Sequence, residues 1–378
     1  MTNSIRIVPY QSGLKDKITR LQKHLWSSNL ELNKAYFEWK YEANPYVKSP
    51  MIYLATNDSD VVGMRGLVGT KWEAGNPQQN FFMLYADDLV IHPDYRNKGL
   101  FTKIMNEIHS ALATKPYDFL CNLSAGQITL IGSLTSGWKR VGIMQPSLRR
   151  TFIQRTYSFI RRKLTNKMVI GCLSNWIHPI IFGRQPFRHL DKAYNKRRFL
   201  HNRLQLSKTG RSKAMAELIQ RIKHDGRIRH VRDEQYLKWR YMNPLHEYRF
   251  VYAGEPRLDG YLVLKRNISD LADSSEVSIV DWEAINTDLL EKLLQSVLLG
   301  GKFNRVVAWE ANLSNDFRKI LGKYDFKLEL QKGVLQQRPA LILRSIRDNH
   351  DQSRQSIAGR HLLDFSDWDI RMIYSMYG

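Results

Sequence analysis

The sequence predicts an α/β fold of the α+β kind, with two mixed-sheet domains flanked by helices and joined by a basic helical bridge. Three observations predict it. First, a strand-like run, Met83 to Ile91, passes through His92-Pro93-Asp94-Tyr95 and the loop Arg96 to Phe101 into a helix-like run, Thr102 to His109. Second, the surroundings of that unit recur: Phe37-Glu38-Trp39-Lys40-Tyr41-Glu42-Ala43-Asn44-Pro45 returns, one residue shorter, as Leu237-Lys238-Trp239-Arg240-Tyr241-Met242-Asn243-Pro244. Third, the segment between the copies holds 22 lysines and arginines against Asp191, Glu217 and Asp225, a net +19 out of +22 for the whole chain.

The elements follow in order. Each copy of the tryptophan motif reads as the end of a helix, because the residue before a proline is pushed away from helical geometry. A strand-like segment follows each copy, Met51 to Ala55 and Arg249 to Ala253. Further matches keep the same order: Asn122-Leu123-Ser124 with Asn312-Leu313-Ser314, and Gly137-Trp138 with Asp325-Phe326. Ordered matches whose offset drifts only from 200 to 188 favour two copies of one fold. The boundaries read as a first domain at 1–146, the bridge at 147–232, a second domain at 233–345 and a tail at 346–378.

With 378 residues and 43% hydrophobic content, the chain can bury two cores. Cys121 and Cys172 supply neither a disulfide framework nor a metal cluster, and no metal is expected. Met1 to Arg6 runs straight into strand-like sequence without a secretory pattern, so the expected location is cytoplasmic.

The loop has the chemistry of an anion site. The first amides of a helix have no intrahelical partner and sit at the positive end of the helix dipole. A phosphate placed there is bound by main chain. Gly99 lets the ligand approach without a Cβ in the way, and Arg96 and Lys98 add positive charge.

Strand, His-Pro-Asp-Tyr, then R-x-x-G and a helix resembles motif A of the GNAT superfamily of acyl-CoA-dependent N-acyltransferases. Arg96 and Gly99 match that motif, while Phe101 stands where a second small residue is common. Tyr117 to Asn122, strand-like after the helix, resembles the strand that splays from its neighbour in this superfamily to admit the pantetheine arm. Gly137-Trp138 resembles the Gly-aromatic pair that starts the last hairpin.

The resemblance implies acetyl-CoA as cosubstrate, held by Leu89, Val90 and Ile91, by Arg96, Asn97, Lys98, Gly99, Leu100, Phe101 and Thr102, and by Asn122 and Ser124. It also implies a carboxylate base for the attacking amine. Asp87 and Asp88 are the candidates. On a regular strand they face opposite sides, and a bulge would change the phase. Asp88 is slightly favoured, and pairing of either carboxylate with the many arginines explains the same residues.

No tyrosine lies between Ser124 and Gly137 to serve as general acid, and Ser124, Ser133 and Ser136 are poor substitutes. Trp39, Tyr41 and Asn44 are substrate-side candidates, with Trp239, Tyr241 and Asn243 as their repeats; aromatic burial and helix termination explain the same residues.

The second copy lacks the loop. After Val277 to Glu283 it reads Ala284-Ile285-Asn286-Thr287-Asp288, without glycine or arginine, and Asp288 repels an anion there. It is therefore expected to bind no coenzyme and to shape the first copy's substrate site.

The bridge admits three readings. One is a solvated helical connector. The second is peripheral contact with an anionic membrane through Phe152, Tyr157, Phe159, Ile160 and Leu164 among their arginines, with the uncharged stretch 168–183 lying in the interface plane. The third is RNA, as in the tandem GNAT-fold transferases that use aminoacyl-tRNA, although those need no coenzyme A loop. A nucleic-acid partner is not expected. The acidic, aromatic tail from Leu363 to Ile370 can dock on the bridge or reach a cleft.

The expected function is acetyl transfer from acetyl-CoA to a primary amine of a small molecule, such as an amino sugar in cell-surface polysaccharide synthesis. The alternatives are an aminoacyl-tRNA-dependent peptidyltransferase and a non-catalytic basic binding protein of the same fold.

Overall fold

The computed structural model describes residues 5–58, 60–150, 186–194, 204–269, 276–310, 312–328, 339–347 and 355–376. The first copy runs β1 (Arg6–Pro9), α1 (Lys15–Leu21), α2 (Leu30–Phe37), a π-helical turn (Glu38–Glu42), β2 (Met51–Asn57), β3 (Asp60–Ala74), β4 (Gln79–Ile91), α3 (Leu100–Leu112), β5 (Phe119–Ala125), α4 (Gln127–Thr135), β6 (Lys139–Ile143) and β7 (Pro146–Arg150). After α5 (Phe187–Tyr194) the second copy repeats the plan. It comprises β8 (Leu204–Ser207), α6 (Ser212–Arg221), the short β9 (Arg229–His230), α7 (Glu234–Arg240), β10 (His246–Ala253), β11 (Gly260–Asn267), β12 (Val277–Ala284), α8 (Thr287–Gly301), β13 (Arg305–Trp309), α9 (Asn315–Lys323), β14 (Lys327–Leu328) and β15 (Ala340–Ser345). A two-stranded ribbon, β16 (Ser356–Ile357) and β17 (Arg360–His361), opens the tail.

The sheets show two copies that have exchanged a strand. The first sheet runs β1-β2-β3-β4-β5-β15-β6 and the second β14-β7-β13-β12-β11-β10-β8. Thus β15, from the end of the second copy, lies between β5 and β6 of the first, and β7 lies between β13 and β14 of the second.

The last hairpin expected of the first copy is therefore split. Its strands part at Met144 and Gln145, whose backbones bond Pro339 O and Glu310 N instead of each other. The sheets also cut across the sequence boundaries: β7, β8 and α6, all within 147–232 but for the first residue of β7, belong to the second unit. Residues 151–185 and 195–203 of the bridge, which include the membrane-contact candidates and Cys172, lie outside the described residues. No helix among the described residues is long and apolar enough to cross a membrane.

Packing explains the helices. On α3 the apolar residues Leu100, Ile104, Met105, Ile108 and Leu112 recur at helical spacing and are buried with Leu84, Ala86 and Leu120 of the first sheet. On α8, Leu293, Leu294, Val297 and Leu298 do the same for the second. The Gly137-Trp138 and Asp325-Phe326 matches are one device used twice. Gly137 (φ +83°) and Asp325 (φ +64°) are left-handed, and Trp138 N and Phe326 N reach back to Ser133 O and Leu321 O, closing the helix end. The Asn-Leu-Ser match is looser, since Asn122 lies on β5 whereas Asn312 lies in the loop before α9.

The copies meet about a pseudo-twofold axis at the repeated tryptophans. Trp39 Nε1 donates to Trp239 O at 2.7 Å, Trp239 Nε1 donates to Trp39 O at 2.8 Å, and the rings stack 4.9 Å apart. The tail seals this junction. Trp368 is buried edge-on against Trp72, Arg227 donates to Trp368 O, and Ile373 O accepts from Tyr236 and Arg240. It thus docks on the far end of the basic segment, and its Met372 also lines a cleft between the copies.

Candidate active site

β4 leaves its neighbours in two ways that build the site. Its parallel pairing with β5 covers only Leu84 with Leu120 and Tyr85 with Cys121, after which the strands diverge. On its other edge the register with β3 jumps between Met64 and Gly66, so β4 carries a bulge, and Asp88 takes φ +49°. Alternation would send Asp87 and Asp88 to opposite faces. The bulge brings both to the face covered by α1 and α2, where Lys40 Nζ donates to each at 2.6 Å.

This cluster is buried and nearly complete in its hydrogen bonding. Asp88 accepts from Tyr41 OH at 2.8 Å, Trp26 Nε1 at 3.1 Å and Gln22 Nε2 at 3.3 Å. Tyr41 gets there only because residue 66 is glycine; a Cβ at Gly66 would fall 1.8 Å from its hydroxyl. Asp87 accepts from Ser124 Oγ at 3.2 Å, and Ser124 Oγ accepts in turn from Tyr85 OH at 3.0 Å.

The two carboxyls are driven apart electrostatically. Burial raises both, but Lys40 and Arg65 bring Asp87 below its ordinary value. Asp88, buried and repelled by Asp87, stays raised despite Lys40. The Lys40 ammonium is raised because its two carboxylates outweigh its burial.

The predicted coenzyme residues lie at the open end of the splay. Gly99 caps α3 in the left-handed conformation (φ +71°), with nothing within 4 Å of where a Cβ would be. The first intrahelical bond runs from Lys103 N to Gly99 O, so the amides of Leu100, Phe101 and Thr102 precede it. Arg96, Asn97 and Lys98 are exposed; Arg96 Nε holds Ile91 O at 3.2 Å, and Lys98 lies over the Tyr95 ring.

Leu89, Val90 and Ile91 follow the bulge on the diverging stretch of β4. Asn122 spans the divergence by donating to Ala86 O and orients Ser124 N through its Oδ1. Phe101 leans on α4, with its ring 3.0 Å from a Cβ built at Gly132, so it borders the groove that a small residue would leave open. An anionic phosphate fits this helix start.

The substrate-side candidates separate. Tyr41 joins the carboxylates. Trp39 is committed to the contact between copies, and Asn44 holds Gly69 O and Tyr46 N at the helix end.

Four members of the cluster, Gln22, Trp26, Lys40 and Tyr85, were not among the site residues proposed from the sequence. Lys40 was legible as the cation that both tryptophan motifs carry, as Lys40 and Arg240. Tyr85 was hidden because it lies on β4, before the segment where a tyrosine is usually sought. Beyond Ser124, a cleft of about 410 Å³ runs from Ala125 and Gly126 to Lys265, Ser278 and Trp309 of the second sheet and Met372 of the tail.

No protein-family model matches the sequence, and no curated protein matches it. Solved structures do match in fold. A conserved protein from Enterococcus faecalis V583 is 10% identical with a TM-score of 0.56, over 91% of this chain and 73% of that one. A GCN5-related N-acetyltransferase from Anabaena variabilis ATCC 29413 is 10% identical with a TM-score of 0.52, over 91% and 73%. A tandem GNAT protein from the clavulanic acid biosynthesis pathway is 10% identical with a TM-score of 0.51, over 92% of this chain and 100% of that one. The fold of this chain is that of a tandem GNAT protein.

Proposed function

We propose that the chain is an acyl-CoA-dependent N-acyltransferase whose first copy transfers an acetyl group to a primary amine, the second copy being non-catalytic. The observation that carries this reading is the alignment of three features on one strand pair: the start of α3, whose Gly99 cap brings no side chain to its amides, the β4–β5 divergence, and Asp87 bonded to Ser124 at its edge. Acetyl-CoA would supply the activated acyl carbon. The amides of Leu100, Phe101 and Thr102, with Arg96 and Lys98, would hold its pyrophosphate.

The acceptor amine would enter the cleft beyond Ser124. Ser124 Oγ already accepts from Tyr85 and donates to Asp87, and its remaining lone pair is available to the amine N–H. As the amine gives its proton to Ser124, Ser124 passes its own to Asp87. Asp87, rather than the more deeply bonded Asp88, is therefore assigned as base. Asp88 is a positioning residue that fixes Lys40, and Lys40 keeps Asp87 ionised despite burial. The cleft's hydroxyl, amide and charged lining suits a small polar amine such as an amino sugar of cell-surface polysaccharide synthesis.

The test is thiol release from acetyl-CoA in the presence of glucosamine and related amino sugars. Amine-dependent release that is lost in Asp87→Asn supports the reading; no release with any amine, or full activity in Asp87→Asn, contradicts it.

A further inference from the structure

The cleft beyond Ser124 has a floor that the second sheet builds from one of its faces. Lys265 of β11, Ser278 of β12, Val307 of β13 and Leu148 of β7 are direct neighbours in register, and all four line the cleft. Side chains alternate along a strand, so Arg305 and Trp309 share the face of Val307 and line the cleft with it. From the first copy, Ser124 and Ala125 at the end of β5 line the same space. Its volume, about 410 Å³, is that of a small-ligand site.

The floor is divided in character. On the β7 side it is apolar, with Leu148, Val307 and Trp309 joined by Met372 of the tail. On the β11 side Lys265 and Ser278 are polar, and two residues further along the strands stand Asn267, Glu276 and Arg305. Among the described residues that line the cleft, Lys265 and Arg305 are cationic and Glu276 is acidic, a net +1. Glu276 Oε2 is committed to Arg305 Nε at 3.0 Å, so the surplus charge belongs to Lys265.

That lysine is only 2% exposed, although it interacts within the fold. Burial, and then Arg240, push its pKa down to about 7 against the pull of Glu276. An ammonium so placed gains from an added negative charge. The side chains of Arg305 and Glu276 are 29% and 26% exposed, which keeps this end of the cleft open to a solute. A single carboxylate matches the surplus of one, whereas a phosphate dianion exceeds it.

We infer that the acceptor amine also carries a carboxylate, which seats against Lys265, Ser278 and Arg305 while the body of the molecule lies over Val307 and Trp309. The amine end rests on the acyltransferase reading, which places it at Ser124. The second copy thereby selects the substrate of the first.

Isothermal titration of the full chain with glucosamine, with muramic acid, which is glucosamine carrying a lactyl carboxylate, and with glucosamine 6-phosphate tests this without turnover. Muramic acid is expected to bind about tenfold more tightly than either of the others. Lys265→Met should remove that preference. Glu276→Gln, which leaves a second positive charge uncompensated, should strengthen muramic acid by about threefold. Glu276 precedes β12 and lies outside the core, so its substitution keeps the fold, and a lysine with a purely structural role predicts no such gain. Muramic acid binding no better than glucosamine overturns the inference. So does a preference that survives Lys265→Met, or a tighter hold on glucosamine 6-phosphate. Thiol release is the separate readout: a binding preference without acetyl transfer to any amine contradicts the acyltransferase reading and leaves the carboxylate site standing.

Discussion

The two copies place a helix start and a buried acid at matching points, and they finish them differently. At α3 the cap is Gly99, left-handed and without a side chain, and no acid occupies the first turn. At α8 the cap is Asn286, whose side chain accepts from Leu289 N at 2.9 Å, and Asp288 supplies a negative charge. The second copy thus fills its own anion site, while the first leaves it open.

The buried acids diverge in parallel. Tyr41 donates to Asp88, and its repeat Tyr241 donates to Asp281. In the first copy the adjoining Asp87 reaches Ser124 and a cleft. In the second, Asp281 and Glu283 are closed off by Arg232 and by Arg371 of the tail. Even the repeated cation is used differently, since Lys40 bonds both acids whereas Arg240 bonds Ile373 O and Ser375 O of the tail. The difference teaches that duplication kept the scaffold while one copy turned its polar cluster into structure.

Substitutions that hit one copy and then its counterpart sharpen this comparison. Asp87→Asn should lower amine-dependent turnover by about 10²–10⁴-fold. Asp281→Asn should leave turnover per folded molecule near wild type, measured by steady-state thiol release. Equal losses would mean the second copy is catalytic too.

Removing the central cation tests stability. Lys40→Met leaves two acids buried together and should cost about 3–5 kcal/mol in urea unfolding. Arg232→Met should cost less, because Arg371 still holds Asp281 and Glu283.

Acid should loosen the tail side of the molecule. Burial pushes Asp369 up, but Arg371 and Arg227 hold it down at about 2. A carboxyl depressed in the fold stabilises it above the unfolded pKa, and that contribution, about 2 kcal/mol, is lost as pH falls from about 4 to 2. Asp369→Asn should flatten stability against pH over that window, as read from unfolding midpoints.

The smallest effect tests the pseudo-twofold. Trp39→Phe and Trp239→Phe each remove one indole donor and should each cost about 1 kcal/mol. Unequal costs would show that the axis is only approximate in energy.

Much of this plan was legible in the sequence because repeats and turns act locally. Gly99 needed only its place between a strand and a helix to mark a candidate anion site, and Gly137-Trp138 and Asp325-Phe326 matched by position, although their shared role in closing a helix end came from the structure. The strand exchange was not legible. Residues 147–150 read as the start of a helical bridge and 340–345 as the end of the second domain, and nothing in either stretch records that they are strands exchanged between the sheets. The phase of Asp87 and Asp88 was hidden for a related reason: one bulge, visible only in the pairing of β3 with β4, moves a carboxylate from one face to the other. Trp39 reads more readily as a core residue than as a ligand contact, but its partner, 200 positions away, is seen only when the two rings are found stacked.

The central claim is that a two-copy protein keeps a single coenzyme site. Calorimetric titration of the full chain with acetyl-CoA measures it directly. The account predicts a stoichiometry of about one per chain, abolished by Gly99→Glu and untouched by Thr287→Glu at the start of α8. Two sites per chain, or undiminished binding in Gly99→Glu, would contradict it.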